Sequence, residues 1–372
     1  GEIIAVETAY SSFLKPKEPN SPFSFCTFCL ARCAAPIPCH ECTKVVFCNE
    51  ECRSKGWDKF HMKECPVYSN LLEFDEWVMS TYRIIAKQSI DELKVFVSQC
   101  QKEEHRSPLE QLLNEDQVCD SDSYRGVYFL EGNIKAVEME TLLGYSYLAF
   151  MLTHLLAKSN RYFVTNKGDK YVPDEEDMFF IGSLFIRHIL AVTCNGYAIQ
   201  ETHVQPYQVC GIGEHVSLVK VGGGTYIALS MFNHSCSPSA MLLSYGSVLI
   251  CRASCFIPSG SQVRTCYYYP YFSQPDRANR REALSNFFSF FCKCDACVND
   301  YRVSADFISS RLRTEDKIIS RNNWEITASL VKELNSLMEG NSQIALRLTT
   351  ISDVTNYLNL AMETIEFYDR YV

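Results

Sequence analysis

Ile227-Ala228-Leu229-Ser230-Met231-Phe232-Asn233-His234-Ser235-Cys236-Ser237-Pro238 is the stretch on which the reading of this chain turns. An asparagine, a histidine and a cysteine follow an apolar run and precede a proline. Residues two apart on a strand point the same way, so Cys236 could be a thiol nucleophile with His234 as its base. The stretch could also be a buried structural turn. A third reading makes it one wall of a larger site whose other members lie elsewhere in the chain, and the surroundings favour that reading.

On both sides stand residues at zinc-ligand spacing. Ahead of it are Cys26-x2-Cys29, Cys39-x2-Cys42, Cys48-x3-Cys52 and His61-x3-Cys65; behind it is Cys292-x-Cys294-x2-Cys297. Zinc takes four soft or borderline ligands in a tetrahedron, so eight ligands in four short pairs suit two ions. The pairs recur about every ten residues, which makes an interleaved pattern sterically natural. Cys26, Cys29, Cys48 and Cys52 then share one ion, and Cys39, Cys42, His61 and Cys65 the other. Cys33 and His40 fall outside the pattern. The rear triad is one ligand short of a tetrahedron.

Composition agrees with bound metal. Of nineteen cysteines in 372 residues, eleven fall in these spacings when Cys236 is counted. The chain is long and opens on no signal-peptide pattern, so reduced thiols in the cytoplasm and nucleus are expected, with no disulfide framework. A net charge of −9 argues against general nucleic-acid binding, and residues 26–65 are nearly neutral, with six Lys/Arg against five Asp/Glu. The most apolar run, Leu142–Ala157, is interrupted by Ser146, Thr153 and His154 and is shorter than the roughly 20 residues a membrane span needs, so a buried helix and no membrane contact are expected.

Residues 1–14 read as strand, followed by a linker with Pro16, Pro19 and Pro22. Helical periods dominate from Pro66 to about Ala198. Leu71, Leu72, Val78, Tyr82 and Ile85 share one face; Leu143, Tyr147, Phe150, Met151 and His154 mark a second helix. A third helix is expected over Phe179–Thr193 after the acidic turn Asp174–Asp177, read as a solvated helix start. Strands are expected at Val216–Val221, Tyr226–Phe232, Met241–Tyr245, Val248–Ala253 and Val263–Tyr269. Tyr245-Gly246-Ser247 predicts a hairpin, and Gly222-Gly223-Gly224 a turn between two strands. Trp324–Met338 and Ile344–Tyr368 suggest an antiparallel helical pair.

The gaps of the front module, with Phe47-Cys48-Asn49-Glu50-Glu51-Cys52 followed by Trp57 and His61, resemble the MYND finger. Its zinc ions must hold it together, since it is too small for a large apolar core. The resemblance implies a groove for proline-rich peptides; a flange that only packs on its neighbour is the plainer alternative. The stretch Ile227–Pro238 resembles the SET-domain signature, Gly260–Tyr267 the SET strand that ends in a catalytic tyrosine, and Cys292–Cys297 the post-SET zinc corner. Together they resemble the SET and MYND domain-containing family of protein-lysine methyltransferases over nearly the whole chain. His188–Glu201 and Thr265-Cys266-Tyr267 are most similar to its member-four branch, in an invertebrate form.

The resemblance implies an α+β multidomain fold: a β-rich SET domain split by a MYND zinc finger and a helical insert, then a post-SET zinc corner and a C-terminal α-helical, TPR-like region. The expected divisions are residues 1–25 (SET strand segment and linker), 26–65 (finger), 66–198 (helical insert), 199–272 (core SET), 273–297 (post-SET) and 298–372 (helical tail). It further implies S-adenosylmethionine as cofactor, three zinc ions, and a histone or other protein as substrate. Carried over, Tyr267 is the catalytic tyrosine; Asn233 and His234 grip the cofactor; Ser230 and Asn195 contact it through main chain or amide; Phe290 packs on its adenine; Cys236 completes Cys292, Cys294 and Cys297.

Three departures stand out. A second active-site tyrosine usual in these enzymes is Phe288 here. The chain opens at Gly1-Glu2-Ile3-Ile4, just past where the family carries a glycine-rich cofactor strand, so a truncated chain with an incomplete cofactor pocket is expected. Pro238-Ser239-Ala240 replaces the usual Pro-Asn. The first two leave a second reading open: a catalytically weak scaffold or corepressor acting through finger and tail.

Overall fold

The computed structural model describes residues 2–15, 24–102, 108–113, 119–164, 168–206, 214–271, 274 and 276–301. The helical pair expected within 324–368 lies outside them, as do Pro16, Pro19 and Pro22. Ten strands form among the described residues: β1 (Ile3–Thr8), β2 (Ser11–Leu14), β3 (Ile37–Pro38), β4 (Val46–Phe47), β5 (Gly196–Pro206), β6 (Glu214–Thr225), β7 (Asn233–His234), β8 (Ala240–Tyr245), β9 (Val248–Ala253) and β10 (Arg264–Thr265). They make two three-stranded antiparallel sheets, β1-β9-β8 and β2-β6-β5, a short parallel pair β10-β7, and the finger's own β3-β4.

The helices start where caps allow. Asp75 accepts from the amides of Trp77 and Val78 and opens the helix Glu76–Ala86. Asp174 accepts from Asp177 N and opens Glu175–Asn195. That first turn is less solvated than its charge suggests, because Asp177 is buried and pairs with Lys94 at 2.5 Å. The helix Glu175–Asn195 is long and apolar enough to cross a membrane. Here it packs against the helices Met139–Lys158 and Glu76–Ala86 and buries His188, as a core helix does.

The hairpin at Tyr245-Gly246-Ser247 forms, with Tyr245 opposite Val248. Gly246 has φ +58°, and a Cβ there would lie 2.3 Å from the carbonyl oxygen of Cys29. The tip tucks under the finger, and Ser247 N donates to that carbonyl at 2.8 Å.

Four expectations are overturned or cut back, the first being the buried helix over 142–157: it forms, but Leu143, Tyr147 and Phe150 on its expected apolar face are exposed. Gly222-Gly223-Gly224 is no turn: all three lie inside β6, paired to β2 and β5. A Cβ on Gly223 would come within 2.9 Å of the Trp77 ring, and one on Gly222 within 2.2 Å of Phe13 O. The glycines let an indole and a neighbouring strand approach the backbone, which is the other standard use of glycine in a strand. Tyr226–Phe232 is not a strand; it turns through a short 3-10 segment, Leu229–Met231. Val263–Tyr269 shrinks to the two residues of β10.

Candidate functional site: a tyrosine–histidine contact backed by a thiolate cluster

Strands β7 and β10 pair in parallel, Asn233 opposite Arg264 and His234 opposite Thr265. The pairing lays the Asn233–Cys236 stretch beside the segment that carries Tyr267. Tyr267 N donates to His234 Nδ1 at 3.0 Å, and the Tyr267 hydroxyl donates to Phe232 O at 2.7 Å. Because Nδ1 accepts from an amide, the imidazole proton sits on Nε2, which faces Cys236 Sγ at 3.3 Å. Burial holds His234 down to about 4, so the ring is neutral at ordinary pH. Burial also raises the Tyr267 phenol, which stays protonated.

Aromatic rings surround this contact. Phe288 lies 5.3 Å and Phe290 6.2 Å from the Tyr267 ring, and Phe290 lies 5.7 Å from His234. Ser230 Oγ donates to Tyr226 O and reaches Asn195 O at 3.4 Å. The Asn195 side-chain amide is engaged elsewhere, donating to Glu131 O and Ala191 O at 2.7 and 2.8 Å, so it is the main-chain carbonyl of Asn195 that meets Ser230. Asn233 is exposed.

Behind His234 the four sulfurs of Cys236, Cys292, Cys294 and Cys297 come together, all buried. Cys236 Sγ is 3.9 Å from Cys292 Sγ and 3.6 Å from Cys297 Sγ, and its amide donates to Cys294 Sγ at 3.3 Å. A zinc–sulfur bond of about 2.3 Å in a tetrahedron sets sulfurs about 3.8 Å apart, so the donor set fits zinc. This weakens the nucleophile reading of Cys236. Its sulfur is fully buried among three other thiols, and the facing Nε2 is a donor, so it is no base.

The finger holds two further clusters, Cys26, Cys29, Cys48 and Cys52, and Cys39, Cys42, His61 and Cys65, each with ligand atoms within 4.8 Å of one another. This is the grouping that interleaved pairs require. Sulfur separations of 3.7 Å (Cys29–Cys48) and 3.4 Å (Cys48–Cys52) again fit a tetrahedral thiolate site. Cys33 and His40 belong to neither cluster.

Three sets of supporting residues escaped the sequence reading. The first is a buried chain from finger to core. His61 Nδ1 lies 3.5 Å from Glu64 Oε2, and Glu64 takes two bonds from Arg83, at 2.6 and 3.1 Å. Arg83 also donates to Ser12 O of β2 at 2.6 Å and sits 3.7 Å over the Phe60 ring. Burial would raise the Glu64 carboxyl, but Arg83 and His61 outweigh it and hold it low. The second is an arginine trio on the helix Arg277–Phe288. Arg277 and Arg281 donate to Cys297 O at 3.3 and 3.1 Å, Arg281 also to Cys292 O at 3.1 Å, and buried Arg280 brings Nη2 to 3.9 Å from Cys297 Sγ. Their charges offset a four-thiolate site, which keeps a net negative charge even with Zn2+. The third is Glu7, whose carboxylate takes three backbone amides at residues 227–229. The RxxRR spacing of the arginines, three on one helix face, was the one signal available in advance.

The site is thus a tyrosine–histidine contact flanked by aromatic rings and backed by a cysteine cluster whose geometry fits zinc. Residues 26–65 match the MYND finger family. The chain is 22% identical over 356 residues to the protein-lysine N-methyltransferase SMYD4 of Danio rerio, covering 81% of this chain and 47% of that protein. It is 25% identical over 359 residues to the Homo sapiens SMYD4, covering 82% and 44%. To the N-lysine methyltransferase SMYD2 of Sus scrofa it is 25% identical over 302 residues, covering 80% and 55%. The chain spans about half the length of the curated relatives it matches. The finger and these relatives together support the SET and MYND domain-containing family, and within it the member-four branch.

Proposed function

We propose that the chain is a protein-lysine N-methyltransferase that uses S-adenosylmethionine. The observation that carries it is the contact of Tyr267 with both His234 and the Phe232 carbonyl, backed by the Cys236 cluster. When bound, the cofactor supplies a methyl group on a sulfonium. Asn233, His234 and Phe290 are the residues that would hold it, with Ser230 and the Asn195 carbonyl at the edge.

The protein's share of such a reaction is alignment and dehydration. A lysine amine must arrive neutral. The walls of Tyr267, Phe288 and Phe290 strip water from it and lower its pKa. Tyr267, protonated and fixed to Phe232 O, presents its oxygen as an acceptor at a set point. Cys236 ties this wall to a zinc corner, so metal and pocket stand together.

The finger adds a second surface. A cleft of about 350 Å³ lined by His40, Glu41, Phe47, Arg53 and Trp57 has the aromatic floor that a proline-rich segment needs. Cytoplasmic and nuclear residence goes with this reading, supported by eighteen cysteines among the described residues that are spent on metal-type clusters or left as thiols and none on a disulfide.

The test is calorimetry of S-adenosylmethionine with zinc-replete protein, paired with tritiated methyl transfer to core histones and a lysine-peptide array. Binding lost in Asn233→Ala, and transfer cut about 10²–10³-fold in Tyr267→Phe with its fold intact, is the expected result. Full transfer by Tyr267→Phe sinks the assignment.

A further inference from the structure

We infer that Glu7 is a positioning residue for the methyl-transfer site, holding the turn from which Ser230 and the hydroxyl of Tyr267 take their places. The inference rests on the reading proposed above. Strand β1 is inverted relative to an ordinary strand. Its aliphatic residues Ile3, Ile4 and Val6 are 48%, 36% and 59% exposed, whereas Glu7 is 5% exposed. Burying an acid where a strand exposes its hydrophobics runs against local pattern, and such breaks mark sites where something else is being served.

What is served is visible in the bonds. Glu7 Oε1 accepts from Ile227 N at 2.7 Å and Ala228 N at 3.0 Å, and Oε2 accepts from Leu229 N at 2.8 Å. Three amides converging on two oxygens call for a carboxylate; no neutral side chain offers two acceptor oxygens in that plane. Burial raises the Glu7 pKa and outweighs the three amides, which lower it and so offset part of the cost of burying the acid.

The clamped residues open the 3-10 turn Leu229–Met231. Two tyrosine hydroxyls, of Tyr197 and of the site's Tyr267, hang on carbonyls of this short run. Tyr197 donates to Leu229 O at 3.0 Å and Tyr267 to Phe232 O at 2.7 Å, while Phe232 N donates back to Leu229 O at 3.2 Å. Ser230 sits within the turn. A slack turn therefore moves the cofactor-side serine and the tyrosine oxygen together.

Glu7→Gln keeps volume and one acceptor but turns an NH2 group on one of the three amides. Glu7→Asp keeps the charge but is one methylene too short to reach all three. In the full chain, both should fold with zinc content unchanged. Amides 229–233 should exchange hydrogen about tenfold faster in Glu7→Gln, and S-adenosylmethionine binding should weaken about tenfold. The turnover defect should vanish when Glu7→Gln is placed in a Tyr267→Phe background, because Glu7 then acts on turnover through a hydroxyl already gone. Unchanged exchange at 229–233, or a turnover defect that simply adds to that of Tyr267→Phe, overturns the inference; so does loss of fold in both variants. If the wild type binds no S-adenosylmethionine, the methyltransferase reading fails, while the exchange data still decide whether Glu7 holds the turn.

Discussion

The finger and the post-SET corner use the same zinc chemistry but differ in what rests on it. The finger draws all eight ligands from residues 26–65 and meets the core through a hairpin tip and the buried His61–Glu64–Arg83 chain. The corner takes Cys236 from the site itself and closes on Cys292 after 56 residues. Its fourth ligand is two residues from His234. A metal in the finger holds a module to its neighbour; a metal in the corner holds the wall of the pocket. What a zinc site does is set by which strand lends the ligand, more than by the ligands themselves.

The largest effect should therefore follow from the corner. Cys236→Ser removes one thiolate and the partner of His234 Nε2. Structural zinc contributes about 10–16 kcal/mol in small peptides, far more than a local pocket can lose and stay formed. Metal analysis should show one of three zinc ions gone and methyl transfer down at least about a thousandfold, while Cys29→Ser loses a zinc and keeps transfer per folded molecule. Equal loss of activity from both would erase the distinction between the regions.

Next in size is the bond between finger and core. Glu64→Gln leaves Arg83, 1% exposed, as a buried charge without its carboxylate. Breaking a buried pair from one side costs about 3–5 kcal/mol. Thermal or denaturant unfolding should show that loss, with the second finger site binding zinc about 10–100-fold more weakly because His61 loses its charged partner. Activity of the molecules that remain folded should be unaffected. If it falls, the finger reaches further into the pocket than its contacts indicate.

The same contrast explains what could be read in advance. Ligand pairs two to four residues apart are local, so both finger clusters and the rear triad were legible from spacing, whereas Cys236, 56 residues from Cys292, came only with the family resemblance. The helix start at Asp174 and the hairpin at Gly246 are likewise local signals. Glu7 meets residues 220–222 positions away, and Arg83 meets Ser12 71 positions away. Nothing near either residue announces such a partner. The glycine run of β6 hides its role for the same reason: three glycines signal a turn unless Trp77, far back in the chain, is known to lie against them.

The smallest and most discriminating change lies where this chain departs from the family it resembles. Phe288 stands 5.3 Å from Tyr267, ring to ring, where the family places a second tyrosine. It ends the helix that carries the arginine trio, so the corner fixes its position too. Phe288→Tyr adds one hydroxyl beside Tyr267, worth about 1 kcal/mol net, or roughly fivefold. That hydroxyl should hold the incoming amine and crowd an already methylated one. The expected outcome, read by mass spectrometry of the acceptor, is about a fivefold shift from higher toward mono-methylated product with little change in stability. An unchanged product ratio would mean that Phe288 lies outside the lysine's path, and that the corner supports the cofactor side of the pocket alone.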